Sequence, residues 1–280
     1  MHWASKFEVG VAMSNYRIIS LYSGSTGNSF LVMTDHARIL IDAGKNVKAL
    51  TRALGEIGVD IDTLDAIFIT HDHNDHTAAL PVLLKHHPLP VHTVEASAQV
   101  IASGMEETAR ACIHRHPPLY SETVGDVRVR SFITPHDSRF SVGYRLEIGE
   151  GEDAVSVGYA TDLGYVTEDV RQALLGCESV VLESNHDREM LLAGPYPRHL
   201  KERIWSRYGH LANDDCAALV SELAENGLKH LMLAHLSEQN NLPEIAYNET
   251  LMALGSADVT LAVAAPDRPV EMWERGDAVC

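Results

Sequence analysis

The sequence predicts an α/β fold of two sheets flanked by helices, and three observations carry that prediction. Both halves of the 280-residue chain alternate short β-branched runs with stretches of helical length and period. A hydrophobic fraction of 45% against 22% charged residues supplies a sizeable core. Several apolar runs end in a histidine or an aspartate, as in open α/β sheets that build a site at the carboxyl ends of their strands.

Taken in order, strands are expected at 17–22, 29–34 and 38–42, then a helix at 47–57. Ala66-Ile67-Phe68-Ile69-Thr70 reads as a buried strand and 77–85 as a helix, with further strands at 90–93 and 126–134. The second half offers strands at 142–148 and 154–161, a helix at 169–175, a strand at 179–184 and a helix at 198–208. A helix at 213–226 carries Asp214 and Asp215 in its first turn and stops near Gly227. A strand at 230–235, a helix at 243–254 and strands at 258–264 and 270–274 follow. Residues 1–15 read as a flexible leader and 16–280 as one domain.

Composition removes several classes. No run approaches the roughly 18 apolar residues of a membrane span, and the first residues lack a signal-peptide core, so a cytoplasmic protein with no membrane partner is expected. Cys112, Cys177, Cys216 and Cys280 lie far apart, which fits neither a zinc ribbon nor a disulfide scaffold. A net charge of −17 opposes sequence-blind attraction to polyphosphate. Only the stretch from Arg188 to Tyr208 turns basic, with Arg198, Lys201, Arg203 and Arg207.

The chemistry concentrates in His71-Asp72-His73-Asn74-Asp75-His76, three imidazoles and two carboxylates directly after a buried strand. Imidazole and carboxylate are the ligands that borderline and hard divalent ions prefer. His71 and His73, at i and i+2 of an extended segment, point to one side and can share an ion. Asp75 and His76 enter the next helix and aim elsewhere, which suggests a second ion. The remaining ligands are sought at later strand ends: His136, Asp162 and His235. The expected arrangement has His71, His73 and His136 on one ion, Asp75, His76 and His235 on the other, and Asp162 bridging, because a carboxylate has two oxygens to share. Asp42, ending the 38–42 strand, is expected to orient a ligand histidine through its other ring nitrogen. Zinc, manganese and iron all suit this donor set.

The His-x-His-x-Asp-His run with the later His136, Asp162 and His235 resembles the metallo-β-lactamase superfamily over roughly residues 16–265. Ser23-Gly24-Ser25-Thr26-Gly27-Asn28-Ser29, Ala160-Thr161-Asp162-Leu163-Gly164-Tyr165, Leu182-Glu183-Ser184-Asn185-His186-Asp187, Gly194-Pro195-Tyr196-Pro197, Gly209-His210-Leu211 and Ala234-His235-Leu236-Ser237-Glu238-Gln239-Asn240-Asn241 look like its YycJ (WalJ) branch. One departure is Ala212, where branch members usually carry serine.

That resemblance implies a four-layer αββα sandwich, two divalent ions and phosphodiester hydrolysis, most specifically a DNA exonuclease. A small phosphodiester of the kind hydrolysed by PhnP is the alternative substrate, and a metal-binding regulatory protein the non-enzymatic reading. It further implies that His210, paired with Glu183 as in tRNase Z-like members, protonates the leaving group, with Asp75 in the catalytic centre. A neighbouring carboxylate favours the protonated imidazole that such an acid needs. Ser25, Thr26 and Asn28 of the glycine-rich loop, with His186 and Arg198, are the expected phosphate or substrate contacts. A homo-oligomer and DNA-repair partners stay open.

Overall fold

The computed structural model describes residues 15–151 and 154–275; the expected leader, apart from Asn15, lies outside the described residues. Two seven-stranded sheets share one scheme. The first opens as an antiparallel meander of β1 (Tyr16–Tyr22), β2 (Ser29–Thr34) and β3 (Arg38–Ile41). It continues in parallel through β4 (Ala66–Phe68), β5 (Val91–Val94) and β6 (Ile113–His116). In the second sheet β7 (Ser121–Val124), β8 (Val127–Ile133), β9 (Val142–Ile148) and β10 (Val155–Ala160) are antiparallel. Parallel β11 (Ser179–Glu183), β12 (His230–Ala234) and β13 (Thr260–Val263) extend it, and β14 (Val270–Arg275) returns to pair with β1.

Parallel neighbours need crossover connections, and helices provide them. In the first sheet these are α1 (Val47–Glu56), the short α2 (Asn74–Thr77), α3 (Leu80–His86), α4 (Glu95–Ile101) and α5 (Glu107–Arg110). In the second they are α6 (Glu168–Leu174), α7 (Arg188–Ala193), α8 (Arg198–Trp205), α9 (Asn213–Glu225) and α10 (Pro243–Leu254).

Strand periodicity sorts the apolar residues into layers. On β1, Ile18 faces the second sheet in a core shared with Phe30, Val129, Tyr144 and Tyr159, whereas Ile19 and Leu21 face α1 and α3. A third core joins Val180, Leu182, Leu231 and Leu233 to α6, α9 and α10. The order helix, sheet, sheet, helix is the expected αββα sandwich. Among the described residues no helix is long and apolar enough to cross a membrane.

Two local readings change. The helix expected at 77–85 is broken into α2 and α3, because Ala79 donates its backbone N–H to Ala43 instead of continuing the first turn. The elements α4, α5, β6, β7 and α7 were not expected from the sequence. β6 (Ile-His-Arg-His) and β7 (Ser-Glu-Thr-Val) are edge strands whose charged and polar side chains hide the apolar alternation.

Candidate metal centre

Every expected ligand lies at one edge of the sandwich, past the ends of β4, β8, β10 and β12. The chain leaves β4 through Ile69 and Thr70 and turns at His71, whose ring lies 4.6 Å from that of His73. From the other sheet His136 reaches in, its Nε2 at 3.2 Å from His73 Nδ1. At the start of α2, His76 Nε2 lies 3.4 Å from Asp75 Oδ2, and His235 Nε2 lies 3.6 Å from the same oxygen. Between the two triads stands Asp162. Its Oδ2 is 3.3 Å from His76 Nε2 and its Oδ1 is 3.6 Å from His136 Nε2.

Within each triad the ligand-type atoms fall within 4.8 Å of one another. His71 Nε2, His235 Nε2 and Asp162 Oδ2 are buried and have no hydrogen-bond partner among the described residues. An unpaired buried polar atom costs about 1–3 kcal/mol, so three converging on one space fit a group that needs electron pairs. Mixed nitrogen and oxygen donors suit divalent metal ions.

A second set of contacts fixes the imidazoles. Asp42, fully buried, binds His76 Nδ1 through Oδ2 at 2.7 Å and accepts the Thr70 N–H through Oδ1 at 2.9 Å. Thr70 Oγ1 lies 3.0 Å from His71 Nδ1. His136 Nδ1 donates to the Gly209 carbonyl at 3.1 Å. Such partners set the tautomer and aim the other ring nitrogen.

The backbone is strained at these same points. Asp42, Lys45, Asp162 and His235 are the non-glycine residues with positive φ among those described, at 62°, 57°, 58° and 55°. Three of the four are site positions at strand ends. Left-handed conformations of this kind persist where tertiary contacts enforce them, at a cost of about 1–3 kcal/mol each. At Gly44 a Cβ would stand 1.9 Å from the Asp75 carbonyl oxygen, so glycine there lets the ligand loop sit down on the 42–45 turn.

The charges compensate one another. Burial alone would raise the Asp162 carboxyl, but His235, His76, His71 and His136 hold it well below its ordinary value. Burial likewise opposes the His235 cation, yet Asp162, Asp75 and Glu183 raise it to about 10. His71 goes the other way: burial pushes its imidazole well below the usual range.

A cleft of about 230 Å³ opens over these residues, with Ser25, His73, Asp75, Tyr196, Arg203 and His210 among its walls. His210 Nδ1 binds Glu183 Oε1 at 2.8 Å, as expected, leaving its other nitrogen for the cleft. Glu183 itself has no surface exposed. It sits behind His210 and His235, so within the expected pairing its place is to position the imidazole rather than to contact a reacting group.

The expected phosphate contacts divide. Ser25 lines the cleft, whereas Thr26 is exposed outside its lining. Asn28 is fully buried, accepts from Ser23 Oγ and the Gly24 N–H, and donates to the Gly24 carbonyl. Its Nδ2 also lies 3.2 Å from His76 Nε2, so the amide ties the loop to that histidine and does not line the cleft. His186 is buried behind the site, where burial lowers its imidazole to about 4. Arg198 projects into solvent and pairs with Glu202 at 2.6 Å, away from the cleft.

Three more residues of the basic stretch are also engaged: Arg188 with Asp214 and Asp215, Lys201 with the Leu192 carbonyl, Arg203 with Asp137. Asn185, Tyr196, Arg203 and Ser237 are cleft residues to which the sequence assigned no role at the metal centre. A signal was present for Tyr196, an aromatic ring set between Pro195 and Pro197. Asn185 is fixed by a 2.7 Å bond to the His235 carbonyl.

Fold and site together define a metallo-β-lactamase-type sandwich. A family model for the β-lactamase superfamily domain matches residues 37–236, and the chain belongs to that superfamily. Within it the chain is a member of the WalJ/YycJ branch. It is 34% identical over 245 residues to exodeoxyribonuclease WalJ of Streptococcus pneumoniae, covering 87% of this chain and 90% of that protein. To exodeoxyribonuclease YycJ of Bacillus anthracis it is 36% identical over 228 residues, covering 81% and 84% respectively. Among solved structures, zinc-bound PqqB of Methylobacterium extorquens superposes with a TM-score of 0.69 at 16% identity, covering 91% of this chain and 99% of that one. That last likeness bears on the fold alone.

Proposed function

We propose that the chain is a metal-dependent phosphodiester hydrolase acting as a DNA exonuclease. Two divalent ions, zinc, manganese or iron, would be held by His71, His73 and His136 and by Asp75, His76 and His235, with Asp162 shared. Ions so placed supply Lewis acidity towards a phosphoryl oxygen and the nucleophilic water.

The observation that carries the phosphodiester reading is the hydrogen bond between His210 Nδ1 and Glu183 Oε1. An alkoxide leaving group needs a proton, and a ring whose Nδ1 is held by a carboxylate presents Nε2 to deliver it. Burial opposes a carboxylate at Glu183, but His210 and His235 keep its pKa at about 2, so it stays anionic across the working range. Ser25 offers a hydroxyl to phosphate, while Tyr196 and Arg203 bound the cleft. The names of the WalJ and YycJ relatives support DNA as the substrate.

The test compares end-labelled DNA, end-labelled RNA and bis(p-nitrophenyl) phosphate on metal-loaded protein. Stepwise loss of nucleotides from a DNA end, abolished by a chelator, is expected. Activity confined to the small ester would overturn the DNA assignment.

A further inference from the structure

Beside the metal cleft lies a second pocket of about 310 Å³, and the two share His136 as a common wall. Its lining includes Pro135, Arg139, Phe140, Tyr165 and Tyr208. Resting on the phosphodiesterase reading, we infer that this pocket is a nucleobase subsite: Tyr208 stacks the base next to the scissile phosphate, and Arg139 and Arg207 meet the adjoining phosphates.

Four observations lead there. Tyr208 is 61% exposed, a large aromatic residue left open two positions before His210. The Arg207 guanidinium lies 4.3 Å from the centre of the Tyr165 ring, so arginine and tyrosine together form a flat cationic platform. Neither Arg139 nor Arg207 has a carboxylate partner among the described residues, unlike Arg188, Arg198 and Arg203. Guanidinium groups without carboxylate partners beside an open aromatic ring are the combination that binds single-stranded nucleic acid.

The pocket is also built rather than incidental. A Cβ on Gly164 would stand 2.2 Å from the Arg207 carbonyl, and one on Gly209 would stand 2.0 Å from the Ile204 carbonyl. The Gly164 N–H binds the Pro135 carbonyl at 2.9 Å, and His136 Nδ1 binds the Gly209 carbonyl. These contacts bolt the 135–140, 164–167 and 207–210 segments together around one metal-centre histidine. The base platform is therefore fixed relative to the reacting phosphate, and no closure is needed to form it.

The test measures kcat and KM of the metal-loaded protein on a single-stranded oligonucleotide and on bis(p-nitrophenyl) phosphate, for the parent, Tyr208→Ala and Tyr208→Trp. Loss of one stacking contact is expected to raise the oligonucleotide KM about tenfold in Tyr208→Ala. The ratio of kcat/KM for DNA to that for the small ester falls by the same factor, and Tyr208→Trp restores it. An unchanged ratio in Tyr208→Ala overturns the subsite while the nuclease reading stands. A parent protein that cleaves only the small ester overturns the nuclease reading, and the subsite with it.

Discussion

Glu183 and His235 are joined by a 2.8 Å hydrogen bond from the imidazole Nδ1 to the carboxylate Oε1, and the same oxygen accepts from His210 Nδ1 at 2.8 Å. The other oxygen, Oε2, accepts the backbone N–H groups of Leu163 at 2.6 Å and Leu211 at 3.1 Å. Four donors converge on one buried anion, so His235, an expected ligand, and the proposed acid are oriented by a single side chain.

Glu183→Gln is isosteric but has one acceptor oxygen. Either orientation of the amide turns its NH₂ towards two of the four donors, a mismatch of about 1–3 kcal/mol for each buried group left unpaired. Metal affinity should fall about 10–100-fold, as it does when outer partners of ligand histidines are lost, and kcat should fall with it. Metal analysis and steady-state kinetics on the same preparation check both. Loss of activity at full metal occupancy and unchanged affinity would confine Glu183 to His210.

Asp162→Ala removes the group that faces both triads. At least one ion should be lost on dialysis, and turnover should become undetectable. The affinity change should exceed the roughly 100-fold expected for an outer partner. Retention of two ions per chain with measurable turnover would refute the bridging assignment.

His210→Ala should behave differently. His210 lines the cleft and touches Glu183, but it belongs to neither of the two triads assigned to ions. Loss of a general acid costs about 10²–10⁴ in rate, with metal content intact. Metal lost in parallel would show that the imidazole is a ligand.

That the expected ligands gather at one place was legible because His71, His136, Asp162 and His235 each follow an apolar strand, with His73, Asp75 and His76 close behind His71. The Asp42 contact to His76 was legible for the same reason. What surrounds the centre was less so. Asn28 looked like an anion contact by residue type, but its amide is taken up by Ser23, Gly24 and the distant His76 ring, which spacing alone does not reveal. Arg198 looked functional by charge, and only the direction of α8 shows that Leu200, Arg203 and Ile204 face the cleft instead. The β6 and β7 strands escaped notice because an edge needs no apolar face on both sides.

β6 carries one more consequence, remote from the ligands. His92 on β5 stacks on Phe68 at 4.8 Å, and its Nδ1 lies 3.0 Å from His116 Nε2. Burial, with His116 and His114 nearby, lowers its imidazole to about 4. In the unfolded chain the same group titrates near its ordinary value of about 6.5. As pH falls through 6.5 the unfolded state takes up the proton first, so folding stability declines from there and levels off below 4. Allowing for partial solvent screening, the decline owed to His92 is about 1–2 kcal/mol. Urea unfolding of chelator-treated parent and His92→Gln between pH 7 and pH 4 isolates it, since the other histidines titrate in both proteins. The stability advantage of the parent over the variant should shrink by that amount across the interval. Parallel curves would mean that His92 takes up its proton as readily in the folded protein as in the unfolded chain.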